Sequence, residues 1–491
     1  MRFRKRSGLS DDMKAGSGEA RPRPISRVPR MVPGALSLAL LTSSAWGQSA
    51  APQVLSLQEA IAMAKAANPE AAMANSEQRE AKAGVQSARA ALLPKLGASE
   101  TFVDSTDPVF AFGARLRQGR FTSTDFSPDR LNYPPATSDF TSTLGATWML
   151  FDSGRTIHQV RAARENSVAA EQQVKATQQD LAYKTIRSYY RALLADQEKV
   201  TTAAAVARAR SFMKETQDRV QAGLALPAES MQADVEISQR EQEAAEAESN
   251  AQLAYADLAG VLGEPSHPLT LESPVGTPAP VTSSLDELRG LAFKSRPDLA
   301  AARGKIVAAG EALRASHGAY GPQFSTFANV QADNPHLTGG GNTNWTVGAK
   351  AELQLFDGGE RKAQVSKASA EREIAEASYS QAETQAGLQV KQAFYALQNA
   401  QRQYGTSDEM LAKARETLRT STDRYTAGLV TVTEVLGEQE QLRSIELNRV
   451  ESLYRWWTAA AQLRLATGED GVSQAVPNAT PQLTDQTGKR P

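Results

Sequence analysis

Leu353-Gln354-Leu355-Phe356-Asp357-Gly358-Gly359-Glu360-Arg361-Lys362 is the stretch on which the fold turns. To its left Trp345, Val347, Ala349, Ala351, Leu353 and Leu355 share one parity, and Thr346, Gly348, Lys350, Glu352 and Gln354 share the other. A period of two predicts a strand through Phe356 with one apolar and one polar face. To its right an Ala/Gln/Glu/Lys-rich run takes up helical spacing. Asp357 stands where a carboxylate accepts from the first free N–H groups of a helix, and Glu360 is placed to complete a capping box. The same strand-to-helix junction occurs at Trp148-Met149-Leu150-Phe151-Asp152-Ser153-Gly154-Arg155, with Phe151 and Phe356 205 residues apart.

Working outward, the repeat extends over most of the chain. Leu57, Asn68-Pro69-Glu70 and Pro94 match Leu285, Arg296-Pro297-Asp298 and Pro322 at an offset of 228. Beyond the junctions the offset is 205: Tyr190 pairs with Tyr395, Arg219-x-x-Ala222-Gly223-Leu224 with Arg424-x-x-Ala427-Gly428-Leu429, Glu229 with Glu434, and Gly263 with Gly468. The difference places a longer loop between Pro94 and Phe151. Each copy reads as helix, strand, loop, strand, long helix, tight turn and return helix. The first helices are expected over 56–92 and 284–318 without a break, and the strands over 96–105, 139–151, 323–333 and 344–356. The long helices run from 153 to 221 and from 358 to 426, each about 100 Å at 1.5 Å per residue, and end at Gly223 and Gly428 as left-handed C′ glycines. The expected organisation is a leader over 1–47, a first repeat over 48–263, a Pro-rich link over 264–284, a second repeat over 285–468 and a disordered tail over 469–491.

Composition narrows the function. The 491 residues carry a net charge of −1, which gives no bulk attraction to nucleic acid, and there is no cysteine. Disulfides, thiol catalysis, Cys-ligated zinc and a lipidated N-terminal Cys are excluded. The basic residues up to Arg30, the apolar run Met31–Leu41 and the small residues at Ala45-Trp46-Gly47 read as an export signal, with Met1, Met13 or Met31 as the start. No later segment reaches about 18 consecutive apolar residues. His158, His267, His317 and His336 are scattered, Gly339-Gly340-Gly341 lacks a following Lys-Ser/Thr, and no Ser sits in a nucleophile elbow. No catalytic residue, metal site or cofactor is expected.

The second long helix repeats Val390, Leu397, Tyr404, Leu411, Leu418 and Tyr425 every seven residues, beside a small row of Ala393, Ala400, Ser407, Ala414 and Ser421. That predicts knobs-into-holes packing. The first keeps the small row Ser188, Ala195, Thr202, Ala209 and Thr216, while its bulky row slips phase after Val200. Four strands of membrane-spanning length cannot close a barrel alone, so several chains must share one. Lys350, Glu352 and Gln354 are expected to face its lumen, with Trp148 and Trp345 as interfacial aromatics. The loop Asp107–Asp139 carries Phe110, Phe112, Phe121, Phe126 and Tyr133 with Arg115, Arg117 and Arg120, and either covers the outer mouth or packs without function.

From Ser56 to Gly468 the chain resembles the TolC-like outer membrane efflux channels. The resemblance rests on Leu57…Ala60-Ile61…Asn68-Pro69, the junction Leu355-Phe356-Asp357-Gly358-Gly359 with its first copy (Phe151, Asp152, Gly154), the duplicated Arg-x-x-x-Gly-Leu turns and the internal repeat. It implies an α+β membrane protein, a homotrimer whose twelve-stranded β-barrel, four strands per chain, crosses the outer membrane and continues into a periplasmic α-helical barrel. It implies an exit duct for efflux or type I secretion, opened by a periplasmic adaptor and an inner-membrane pump of RND, ABC or MFS type, with no enzyme activity, no cofactor and no nucleic acid. Gly223, Leu224, Glu229, Gly428, Leu429 and Glu434 fall at the adaptor-contact tips. Of two acidic positions at the family's aperture, the first is Glu434 and the second is Gly437, a departure that leaves a second acidic ring unsupported. The family's basic residue two after the second turn glycine is Val430 here, so a latch through that charge is not expected. The competing reading is a periplasmic coiled-coil scaffold or adaptor, which accounts for the heptads and not for the strands.

Overall fold

The computed structural model of the chain describes residues 54–263, 270–273, 276–338 and 341–469. The expected leader and all but the first residue of the expected tail lie outside them. Two series of elements follow one another. The first is β1 (Val54–Leu55), α1 (Leu57–Ala67), α2 (Pro69–Ala90), β2 (Lys95–Ser105), α3 (Pro108–Arg117), α4 (Pro128–Asn132), β3 (Thr137–Phe151), α5 (Arg155–Gln221) and α6 (Pro227–Leu262). The second is β4 (Thr270–Leu271), α7 (Leu285–Ser295), α8 (Pro297–Gly318), β5 (Gln323–Asn334), β6 (Asn342–Glu352), α9 (Glu360–Thr426) and α10 (Val432–Thr467). Corresponding helices have equal lengths: 11, 22, 67 and 36 residues in both.

The first helix of each series is two helices, correcting the unbroken spans 56–92 and 284–318. Pro69 and Pro297 lack the N–H needed to continue a helix and force the residue before them out of helical geometry. Asn68 and Arg296 accordingly sit at ψ 133° and 122°. Each break is fastened to the end of a return helix. Asn68 Nδ2 donates to the Val261 carbonyl at 2.8 Å, and Arg296 Nη1 to that of Ala466 at 3.2 Å. Gly263 and Gly468, both left-handed, close against the same breaks, where a Cβ would lie 2.7 Å from Ala67 O and 2.8 Å from Arg296 Cα.

β2, β3, β5 and β6 form one antiparallel sheet in that order, so β2 and β6 are its free edges. β6 ends at Glu352, four residues before the expected end. Its partner β5 begins at Gln323, opposite Glu352, and the preceding Pro322 has no N–H to extend the ladder. Below the sheet α5 lies between α2 and α8, and α8 reaches α9; farther down, α6 and α10 flank α5, and α10 packs on α9.

The heptad seam of α9 packs as its sequence dictates. Val390, Ala393, Leu397, Ala400, Ser407, Ala414, Ser421 and Tyr425 are buried, with Tyr404, Leu411 and Leu418 half-buried beside them. The largest core surrounds the mid-length of α5, where Tyr189, Tyr190, Leu181 and Ile186 meet α1, α6 and Trp457 of α10. There the parallel pair β1–β4, which the sequence did not suggest, is pinned by the Tyr189 hydroxyl, 2.8 Å from the carbonyls of both Leu55 and Glu272. Burial pushes the Tyr189 hydroxyl pKa well above its ordinary value.

Candidate functional site

Strand register assigns every sheet residue to a face. One face carries the apolar rows Trp148–Thr326–Ala349, Leu96–Ala146–Ala328–Val347 and Ala98–Leu144–Val330–Trp345, then the polar row Glu100–Ser142–Ala332–Thr343 and the pair Phe102–Phe140 at the far end. The opposite face carries Gly97–Gly145–Asn329–Thr346, Ser99–Thr143–Gln331–Asn344, Thr101–Thr141–Asp333–Asn342 and Ser325–Lys350. Its one large aromatic is Phe327, whose ring lies flat over Gly348, where a Cβ would meet it at 2.5 Å. Within β5, Phe324 to Asn334 is ten steps of strand, about 33 Å, long enough at a tilt of about 40° to cross a band of ~25 Å. Lys350 and Glu352 share the polar face, bonded at 2.6 Å. Gln354, expected with them on the strand, lies beyond its end. Trp148 and Trp345 stand on the apolar face, the first nearer the helices with Nε1 donating to Leu92 O at 2.9 Å, the second nearer the far end.

The junctions are built on aspartates, as expected, with different detail. Asp357 accepts from Gly359 N at 3.0 Å and Arg361 N at 3.1 Å, and its carboxylate grips Arg361 Nε at 2.6 Å. The Arg361 bond, with the backbone donors, holds the Asp357 pKa below the usual carboxylate range. The N-cap is left-handed Gly359, which has no side chain to give, and Glu360 is the first helical residue rather than the third, so no capping box forms. Asp152 accepts from Thr156 N at 2.8 Å, and left-handed Ser153 donates to Pro322 O at 2.9 Å. Phe151 ends its strand facing Phe324 at 6.0 Å between ring centroids, whereas Phe356 lies past its strand and is exposed. Glu352, Gln354 and Gln323 line a cavity of about 700 Å³ that continues down α5, α8 and α9 past Arg155 and Lys367. Gln354, although off the strand, lines the same cavity as Glu352 and Gln323. His158, one of the four scattered histidines, bonds Glu311 of α8 through Nδ1 at 2.7 Å.

At the opposite end two turns reverse the chain in the same way. Gly223 and Gly428 both have φ 73°. Leu224 N donates to Arg219 O at 2.8 Å and Leu429 N to Arg424 O at 2.9 Å, the six-to-one bond of a Schellman end. Leu224 and Leu429 are 70% and 74% exposed, and Leu226 is 67% exposed, so the tips present aliphatic side chains to water. Just above them Phe212, Ala233, Tyr425, Val432 and Val435 form a small core joining both hairpins, with Val430 against it. Glu229 caps α6 from within, Oε1 3.3 Å from Leu226 N, and takes the Tyr425 hydroxyl on Oε2 at 3.1 Å. Arg219 reaches across to Thr426 O at 2.9 Å. The sequence marked Glu229 and missed its partner: Tyr425 lies four residues before the marked Leu429, on the other hairpin. Glu434 and Gly437 are both exposed, one turn apart at the start of α10.

A sheet with one apolar and one polar face on a long helical stem has counterparts among known proteins. The outer membrane efflux protein family model matches residues 60–264 and 288–469. The chain belongs to that family. Protein CyaE of Bordetella pertussis is 28% identical over 337 residues, covering 66% of this chain and 70% of that protein. Pyoverdine export outer membrane protein OpmQ of Pseudomonas aeruginosa is 24% identical over 400 residues, 79% of this chain and 77% of that protein. Among solved structures, the outer membrane protein VceC of Vibrio cholerae aligns with a TM-score of 0.69 at 23% identity, over 84% of this chain and 96% of that one. A membrane protein from Pseudomonas aeruginosa aligns with a TM-score of 0.72 at 21% identity, over 84% and 93%. The protein is therefore an efflux duct of the outer membrane with its helical stem in the periplasm, a channel and not an enzyme. Among the described residues no helix is long and apolar enough to cross a membrane.

Proposed function

We propose that three copies of the chain close a twelve-stranded barrel, β6 of each pairing with β2 of the next, and that the stems form one tube opened at its far end by a periplasmic adaptor and an inner-membrane pump. The observation that carries this is the sheet: two chemically distinct faces and two free edges. An open edge is not tolerated in lipid, so the edges must be paired by other copies. Eight strands would leave an interior filled with side chains, while twelve leave a passage. The polar face, with Lys350 and Glu352, lines that passage, and Val347, Ala349 and Trp345 face lipid. A coiled-coil scaffold has no use for such a sheet.

The tips are the adaptor surface: Gly223 and Gly428 set the reversals, Leu224 and Leu429 are the contacts, and the Glu229–Tyr425 bond holds the two hairpins together at rest. Three copies of Glu434 ring the aperture and favour cations, with Gly437 adding no second ring. Cargo is selected by the pump.

Val347→Lys should block membrane insertion, at about 2–4 kcal/mol for a charge near mid-bilayer, while Thr346→Lys on the polar face is tolerated. Leu429→Asp should abolish adaptor co-purification and efflux and leave the barrel assembled, and Glu434→Ala should lower cation selectivity in bilayer recordings. Equal tolerance of lysine on both faces would overturn the barrel. Unchanged adaptor capture by Leu429→Asp would overturn the tip assignment.

A further inference from the structure

The connection between β2 and β3 is not an open loop. Pro108 and Pro128 start α3 and α4, and Asp107 caps α3 by accepting from Phe110 N at 2.7 Å. The segment holds itself together. Phe112, Phe121 and Phe126 meet edge-on with centroids 4.7–6.4 Å apart. Asp125 receives Arg115 at 2.7 Å, Arg130 at 3.4 Å and Thr122 N at 2.9 Å. Its attachment to the sheet is different in kind, being polar and narrow. Arg117 extends Nε to Asp333 Oδ1 at 3.2 Å and Nη2 to Asp139 Oδ2 at 3.6 Å, and Gln118 Nε2 donates to Asp139 Oδ1 at 2.8 Å. Gly119 then rests on Asn342.

Asp139, Asp333 and Asn342 all belong to the polar face, in its last rows away from the helices. The segment therefore lies across the inner side of the sheet at its outward end. The anchor is unbalanced. Asp139 and Asp333 are 1% and 0% exposed, yet one guanidinium serves both, and Asp333 Oδ2 has no partner. Burying two carboxylates against one cation is costly unless each is fully paired. Beyond the shared guanidinium, Asp333 is met by Thr141 and Gln331, and Asp139 by Gln118 and Thr141. Moving the segment aside would part both carboxylates from that guanidinium.

We propose that residues 107–133 form a lid over the outward mouth of the duct, latched by Arg117 on Asp139 and Asp333, and that it swings aside as cargo leaves. This rests on the polar face lining the passage. The absence of cysteine from the chain permits a direct test. Ser325→Cys places a reporter on the polar face below the lid, labelled in intact cells with a bulky polyethylene-glycol maleimide that the outer membrane excludes. With the native lid, labelling should be slow. Adding Arg117→Ala should speed it about tenfold, the factor that about 1.4 kcal/mol of lost closing energy produces. A rate identical with and without Arg117 overturns the latch.

A second variant does not depend on losing a contact. The Cβ position at Gly119 is 3.7 Å from Asn342 Cβ, within disulfide range. A cysteine at 119 must keep a left-handed backbone, which a single residue tolerates at modest cost. Gly119→Cys/Asn342→Cys, oxidised in planar bilayers, should lose outward-mouth openings that reductant restores; equal conductance in both redox states overturns the lid. If Ser325→Cys resists labelling even in permeabilised cells, the polar face is not the passage, and both readings fall together.

Discussion

Helices α5 and α9 have the same length, follow equivalent junctions and end in the same turn, yet nineteen residues of α5 are buried and only ten of α9. The contrast is clearest at the matched pair Tyr190 and Tyr395, which are 2% and 52% exposed. α5 has α2, α8, α6 and α10 around it, whereas α9 packs on α7, α8 and α10 and leaves a flank bare, with Ile374, Leu388, Tyr395 and Met410 in contact with water. Burial thus follows place in the layer rather than place in the repeat. α5 is a central stave and α9 an edge stave, and the edge is where a neighbouring copy belongs in the proposed trimer.

The largest test of that contrast is truncation of the matched tyrosines. Tyr190 stacks on Tyr454 at 5.7 Å and on Trp457 at 6.1 Å. Tyr190→Ala should destabilise the protomer by about 3–5 kcal/mol, as for other buried aromatics, seen as a lowered Tm by circular dichroism. Tyr395→Ala should leave the protomer intact and reduce the trimer recovered in mild detergent. Equal protomer losses would erase the distinction between centre and edge.

Next come the glycines, where the two series should agree. Gly263→Ala and Gly468→Ala both push a Cβ into backbone at 2.7–2.8 Å, in left-handed conformations. Each should cost about 1–3 kcal/mol. At Gly223 and Gly428 nothing lies within 4 Å, so alanine there should cost only the backbone penalty, about 1 kcal/mol. Denaturation midpoints of the four variants give the order, and a large gap within either pair would show that the series are not structurally equivalent there.

A smaller effect concerns the tie between the return helices. Arg240 of α6 meets Glu440 of α10 at 2.7 Å, and Arg443 meets Glu440 at 2.6 Å and Glu243 at 3.5 Å. The Arg443 bond, with Arg240 nearby, holds the Glu440 pKa below the ordinary range. A carboxyl with a depressed folded pKa stabilises above its unfolded value, about 4.3, and loses that contribution as pH falls through the folded one. The Tm gap between wild type and Glu440→Gln should therefore be present at pH 7 and shrink in acid. A gap independent of pH would mean that Glu440 acts by packing alone. Smallest of all, Tyr190→Phe should change stability by only a few tenths of a kcal/mol, because the buried Tyr190 hydroxyl has no partner to lose.

Much of this was legible in sequence because it is periodic. The seven-residue rows of α9 identified its buried seam residue by residue, and the phase slip in α5 after Val200 now has a cause: a helix with neighbours on several sides needs no single stripe. Alternation gave the sheet its faces, and Gly223 and Gly428 gave the turns. The expected spans 56–92 and 284–318 end before Pro94 and Pro322 yet run through Pro69 and Pro297, although each proline carries the same steric instruction. The Leu353–Phe356 alternation continued a strand whose partner had already ended, a limit that lies in Pro322 and not in the stretch itself. Contacts between distant segments had no local signal: Tyr425 with Glu229, and Arg117 with Asp139 and Asp333, join residues that only the folded chain brings together.

The equal helix lengths also constrain how such a duct can change. One residue inserted into α5 would drop its tip about 1.5 Å and rotate everything below by about 100°, turning its buried seam outward. The matching helix would not follow, and the rim would no longer be level. The stem can therefore lengthen only in whole heptads, about 10.5 Å at a time, added to both long helices and their return partners at once. The β2–β3 connection, where the two series already differ in length, lies outside the stem and is free of that constraint.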